Sequence, residues 1–270
     1  MLNIQEKSRT MDYRKEFLKF NIDAVGVCSA QRYNSACNTD YKVCIVALFP
    51  YFCGYEENSN LSIYTHGADY HIVTKNILEA VAHNLDLEDY RVHSDTGPKI
   101  ERSLASEAGL AFTGKNGMAI NPKYGSYFFI GYIVCNENLP LSLPLEENCK
   151  DCGRCFEMCP GKALGTTFDE TKCLSAITQK KGELSDWEKE LIKSNNMVFG
   201  CDICQKVCPH NRNAAYTPIG EFKENRISSI AIEDIQLLTN KEFKEKYGTR
   251  AFSWRGKNVV LRNLNIINDK

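Results

Sequence analysis

The chain has 270 residues, 43% of them apolar and 25% charged, with a net charge of −1. That is globular composition, long enough for one large domain or two modest ones, and the near-zero charge gives no global argument for nucleic acid. The longest apolar stretches, at 43–52 and 127–135, are shorter than the roughly 20 residues that span a bilayer.

The opening MLNIQEKSRTMDYRKEFLKF is polar, so a cytoplasmic protein with no signal peptide is expected. AVGVC (24–28), KVCIVALF (42–49) and SYFFIGYIVC (126–135) are short, β-branched or aromatic, and predict buried strands. Between them, 69–85 carries Val73, Ile77, Val81 and Leu85 at helical spacing, one face of a helix. Residues 94–110, SDTGPKIERSLASEAGL, predict a capped helix with Pro98 in its first turn, Ile100, Leu104 and Ala108 inward, and a stop at Gly109. The first 145 residues therefore predict an α/β or α+β unit. ENLPLSLPLEEN (137–148) reads as a linker, and 212–270 as a tail with helical patterns at IAIEDIQLLTN and NKEFKEKYG.

Thirteen cysteines are many for a reducing compartment, and eight of them fall within 149–211. Clustered thiols there are metal ligands rather than disulfides. Cys149-x2-Cys152-x2-Cys155-x3-Cys159-Pro160 is the run of two-cluster ferredoxins, in which the fourth cysteine serves the other cluster. Cys201-x2-Cys204-x3-Cys208-Pro209 lacks one cysteine of that run, and Cys173 is the available replacement. Crossed ligation predicts Cys149, Cys152, Cys155 and Cys208 on one 4Fe–4S cluster, with Cys159, Cys173, Cys201 and Cys204 on the other. Two structural zinc sites are the alternative, but zinc prefers pairs of CxxC arms. Cys28, Cys44 and Cys135 sit in strand patterns and are expected as small buried residues; Cys37 and Cys53 lie near loops.

Residues 93–136, with HSDTGPKIERSLASEAGL, TGKNG and PKYGSYFFIGYIVCN, followed by NCKDCGRCFEMCPGKAL, CLSAITQKKGEL and FGCDICQKVCPHN, resemble epoxyqueuosine reductase. That family is a cobalamin-dependent, two-cluster iron–sulfur family of tRNA modification. The resemblance implies an α+β chain: a nitroreductase-like cobalamin-binding catalytic domain (1–145), a ferredoxin-like two-cluster 4Fe–4S domain (146–212) and a short helical tail (213–270). Longer members continue with helical repeats. The implied reaction removes the epoxide oxygen of epoxyqueuosine in a tRNA anticodon loop, with electrons from a ferredoxin or flavodoxin relayed through the clusters to cobalamin. A monomer without membrane association is expected.

By the same resemblance, Asp95 in the DTGP segment is the catalytic acid. A carboxyl with that task should have a raised pKa, whereas a helix N-cap is the plain alternative. Tyr64, Asp69, Tyr70 and His71 of IYTHGADYH, Arg102, Lys115, Asn116, Tyr124 and Ser126 are implied contacts of the corrinoid or substrate. The sequence departs from the family pattern at His210, where Trp is usual, at Thr113, where Ile precedes GKN, and in CLSAITQKKGEL. Residues 241–262 carry seven Lys/Arg against two Glu, interleaved with Phe243, Tyr247, Phe252 and Trp254. This segment is either an RNA-facing surface or a capping helix with its aromatics in the core. Two further functions fit the cysteines: a related reductase acting on another epoxide or an organohalide, and a non-catalytic electron-transfer module.

Overall fold

The computed structural model describes residues 12–269; part of the polar opening segment thus lies outside the described residues. The first unit is built on a four-stranded antiparallel sheet whose strands lie in the spatial order Val25–Ser29, Val43–Pro50, Phe128–Cys135, Tyr90–His93. It begins with helix α1 (Tyr13–Leu18), β1 (Val25–Ser29), α2 (Gln31–Cys37) and β2 (Val43–Pro50), then α3 (Tyr70–Asn84), β3 (Tyr90–His93) and α4 (Glu101–Glu107). A two-residue hairpin, β4 (Phe112–Thr113) and β5 (Ala119–Ile120), leads to β6 (Phe128–Cys135). β2 and β6 pair along their full length, from Val43 with Cys135 to Pro50 with Phe128.

Successive side chains of a strand face opposite sides, and here each side meets a helix. Ile45, Ala47 and Phe49 pack with Leu78 and Val81 of α3. Cys44, Val46 and Leu48 pack with Leu104 and Ala105 of α4. A sheet covered on both faces explains why these central strands are unbroken apolar runs rather than alternating ones. The three strands, the helix over 69–85 and the mixed α+β architecture match the expectations from the sequence. Cys28, Cys44 and Cys135 are buried as expected.

The 137–148 segment has no regular structure but seals the free edge of β1. Ser142 N–H donates to the Val27 carbonyl (2.8 Å) and Val27 N–H to Ser142 Oγ (2.9 Å). Covering an edge in this way removes a site for unwanted strand pairing.

The cysteine-rich region contains α5 (Arg154–Met158), α6 (Leu174–Gln179), α7 (Asp186–Asn195) and α8 (Ile203–Lys206). Ser185 and Glu188 close a capping box at the start of α7. The remaining helices are α9 (Gly220–Lys223), α10 (Asn240–Tyr247) and α11 (Lys257–Asn268). The tail does not hang free: Ile230, Phe243, Phe252, Val260 and Leu264 share a core with Leu61, Val198 and Phe199. The expected helix at IAIEDIQLLTN is instead a series of turns. Asn60 supplies the partners a helix would have provided, accepting from Ile230 N–H (3.0 Å) and donating to its carbonyl (2.8 Å), while Asp234 caps Ala231 N–H.

A buried polar knot ties the sheet to the cysteine loops. Asn211 Oδ1 accepts from Ser126 N–H (2.7 Å), and its Nδ2 donates to Ser126 Oγ (2.9 Å) and the Gln205 carbonyl (2.8 Å). A Cβ on Gly125, whose φ is +58°, would lie 2.1 Å from Asn211 Oδ1, so the knot also requires glycine there. Asn211→Ala leaves buried donors and acceptors unpaired, each costing about 1–3 kcal/mol. A lowered urea midpoint with unchanged slope is the expected result, and an unchanged midpoint would show that the knot contributes nothing.

Candidate active site and cysteine loops

The eight cysteines separate into two groups. Burial raises the pKa of Cys155 and Cys208, and both also feel the charges of Cys149 and Cys152. Burial pushes Cys201 and Cys204 up to about 12, and both feel Cys173 and Cys159. Each pairing of influences falls inside one of the two crossed sets that the spacing suggests. Among the described residues no three His, Cys, Asp or Glu side chains form a group that could hold a single metal ion. Ala163 N–H donates to Cys159 Sγ at 3.3 Å, a backbone contact of the kind that tunes cluster sulfurs.

Beside these loops lies a cleft formed by two cavities of about 400 and 740 Å³ that share Asp95 and Lys99. Tyr70, Arg102, Ser126, Phe128 and Phe129 line the first. Cys173, Phe168, Trp254 and Arg255 line the second, so the second cysteine group borders the cleft directly. A larger groove of about 940 Å³ runs beside α11 past Leu184, Leu261 and Ile266 and holds none of these residues.

Asp95 follows β3 with φ +57°, a left-handed conformation that aspartate tolerates better than most residues. It is not a helix cap, because α4 starts later, with Ile100 at its N-cap. Its side chain is 68% exposed at the cleft. Tyr70 Oη donates to Asp95 Oδ2 at 2.5 Å, and the Tyr70 ring stacks on Phe129 at 4.0 Å. His71 Nε2 stands 3.7 Å from the same oxygen, while its Nδ1 lies 2.8 Å from Asp69 Oδ1. Asp69 also caps α3 by accepting from His71 N–H, so the helix start itself fixes the imidazole.

The electrostatics reverse the expected direction at Asp95. Contact with His71, then with Tyr70, holds its carboxyl below the usual range against the opposing effect of burial. His71 is pushed up to about 9, chiefly by Asp69 and then by Asp95. The proton at neutral pH therefore rests on His71, not on the carboxyl.

The other expected contacts scatter. Lys115 pairs with Asp151 (2.7 Å), and Asn116 Nδ2 donates to the Cys204 carbonyl (3.3 Å); both line the cavity of the first cysteine group. Arg102 donates to the Gly117 carbonyl at the cleft. Tyr64 packs edge-on against Tyr70. Tyr124 is buried and donates to Asp23 (2.7 Å), away from the cleft. Phe243, Tyr247 and Phe252 are core residues, leaving Trp254, 57% exposed, as the accessible aromatic of its segment. Sequence reasoning missed Lys99, although it adjoins the DTGP segment, and missed Gln205 and Asn211, which carry no spacing signal.

Two ferredoxin-type cysteine groups, the second of which borders the cleft through Cys173, define the chain as a double-cluster iron–sulfur protein, and residues 148–211 match the family described as a 4Fe-4S double cluster binding domain. Over 206 residues the chain is 36% identical to the epoxyqueuosine reductase of Lactococcus garvieae, an alignment covering 73% of this chain and 58% of that protein. The fold matches the epoxyqueuosine reductase structure from Streptococcus thermophilus with a TM-score of 0.83 at 27% identity, covering 96% of this chain and 80% of that one. It also matches an epoxyqueuosine reductase solved with a tRNA-TYR epoxyqueuosine-modified tRNA stem loop, with a TM-score of 0.77 at 25% identity over 94% and 80% of the two chains. By sequence and by fold, the chain is a homologue of the epoxyqueuosine reductases. It spans somewhat more than half the length of the curated relatives it matches. Among the described residues no helix is long and apolar enough to cross a membrane.

Proposed function

We propose that the chain reduces the epoxide of epoxyqueuosine in tRNA to give queuosine, using two 4Fe–4S clusters and cobalamin. The observation that carries this reading is the placement of Asp95 and Cys173 on one cleft, proton chemistry at one wall and a cluster ligand at the other. The first 145 residues then form a nitroreductase-like cobalamin-binding domain, and 146–212 a ferredoxin-like one. Cobalamin, when bound, supplies a low-valent cobalt able to deliver electrons to a strained carbon–oxygen bond. Tyr70, Phe128 and Phe129 give such a macrocycle an apolar wall, and Lys99 and Arg102 give it polar contacts. Tyr70 and His71 hold the Asp95 carboxylate at the cleft; protonated His71 supplies the proton, and Asp95 takes it up and passes it to the oxygen that leaves the ring, leaving His71 neutral until solvent reprotonates it. The net reaction consumes two electrons and two protons and releases water.

The two cysteine groups have an order. Cys152 is exposed, so the first group faces a ferredoxin or flavodoxin; Cys173 faces the cleft, so the second group is the exit. Anaerobic reconstitution with cobalamin and iron, followed by turnover of epoxyqueuosine-containing tRNA, tests the reading. A bound corrinoid and eight irons without queuosine would discard the substrate and retain the cofactors.

Trp254 is, with Phe168, an exposed aromatic at the cleft's rim. Arg255 covers one side of its ring, with Cζ 3.6 Å from the centroid, and its Nε1 donates to Gln179 Oε1 (3.1 Å). An unpaired base stacking on the exposed part contributes about 1–3 kcal/mol. Trp254→Ala should therefore raise KM for the RNA and leave kcat nearly unchanged, and an unaltered KM would remove Trp254 from RNA binding.

A further inference from the structure

His210 follows Cys208-Pro209, at the position where the family pattern has Trp. It lines the same cavity as Cys149, Cys152, Cys155 and Cys208. Its ring meets Phe112 edge-on at 5.0 Å between centroids. Its Nε2 is buried and has no hydrogen-bond partner. Such an orphan is costly, about 1–3 kcal/mol, unless something at the site satisfies it. The cysteine sulfurs and the inorganic sulfides of a cluster are electron-rich acceptors. A bare ring nitrogen facing them would set lone pair against lone pair, so the tautomer with hydrogen on Nε2 is favoured there.

We infer that His210 Nε2–H donates a hydrogen bond to a sulfur of the cluster held by Cys149, Cys152, Cys155 and Cys208, and thereby raises that cluster's reduction potential. The inference rests on the ligand set proposed above. A hydrogen bond to sulfur withdraws negative charge from the core and favours the reduced state. The cluster affected is the one with the exposed Cys152, where electrons enter. His210 thus sets the step from an outside donor, and it does so through a residue that is not itself a ligand.

The test uses the reconstituted holoprotein, with both midpoint potentials read by electron paramagnetic resonance during a redox titration. His210→Phe keeps the ring packing against Phe112 and removes the donor; His210→Gln restores one. The expected result is a shift of one cluster to a more negative potential in the Phe variant, no change in the other, and recovery in the Gln variant. Both midpoints unmoved at full iron content would overturn the inference. If the Phe variant loses the cluster, pulsed resonance of the wild-type protein carrying 15N-histidine decides. A weak nitrogen coupling with an exchangeable proton supports the hydrogen bond. No coupling, or one large enough for direct ligation, overturns it. Iron content separates the two levels: fewer than eight irons in the wild-type protein refutes the two-cluster reading, whereas eight irons with an unmoved potential refutes only the role of His210.

Discussion

Asp95→Asn is expected to lower turnover by about 10²–10⁴-fold while corrinoid binding, followed by its visible spectrum, is retained. Asparagine is nearly isosteric and can still accept from Tyr70, so the loop keeps its shape; what it loses is the ability to take and release a proton. The pH dependence carries the same logic. His71 is protonated below about 9 and neutral above it, so proton delivery through Asp95 is intact at neutral pH and falls as pH rises through about 9. Because Asp95 helps to hold the imidazolium, the residual activity of the asparagine variant should lose its basic limb at a lower pH than the wild type. Wild-type turnover in the variant would remove Asp95 from the reaction. A pH profile flat to well above 9 would separate His71 from it.

That outcome matters because the sequence and the structure disagree about how Asp95 works. The DTGP segment marks the residue, and its resemblance suggests an acid with a raised pKa. Two neighbours 24 and 25 positions earlier, His71 and Tyr70, decide otherwise. Their approach depends on α3 ending its cap beside the turn after β3, a long-range juxtaposition that local patterns do not encode. The central strands were legible because β2 and β6 are buried on both faces and read as unbroken apolar runs. β3 was not legible: YRVH is a four-residue strand at the sheet's edge with no buried residue, and a one-sided partner leaves little pattern. The tail shows the opposite failure, since IAIEDIQLLTN has helical spacing but Asn60, far away in sequence, captures its backbone. The double-cluster region was legible because the cysteine runs repeat at short, local spacings. The basic segment 241–262 was ambiguous for the same physical reason, as amphipathic aromatic spacing fits core and surface alike, and only packing assigns three of its aromatics to the interior.

The second large effect concerns the crossing of the cysteine sets. Cys159 closes the first run in sequence, yet in the proposed crossing it joins Cys173, Cys201 and Cys204, and its charge and that of Cys173 both raise Cys201 and Cys204. Cys159→Ser should therefore damage the same cluster as Cys204→Ser, and Cys155→Ser should damage the same one as Cys208→Ser. Each substitution is expected to reduce iron from about eight to about four per chain, or to leave a cluster with altered spectra, because serine oxygen is a poorer match than thiolate for these cores. The measurement is iron content together with the resonance spectrum of the surviving reduced cluster, which should sort the four variants into two pairs. Sorting by sequence run, with Cys159 grouped beside Cys155, would break the crossed assignment. The pairs should also differ in consequence. Loss of the second set removes the ligand Cys173 side of the cleft and stops electrons at the last step, so the first cluster remains reducible by an external donor while no product forms. Loss of the first set should slow reduction by a protein donor yet leave some turnover with a small, freely diffusing reductant that reaches the cleft directly. Equal sensitivity of both pairs to the small reductant would remove the proposed order of the two clusters.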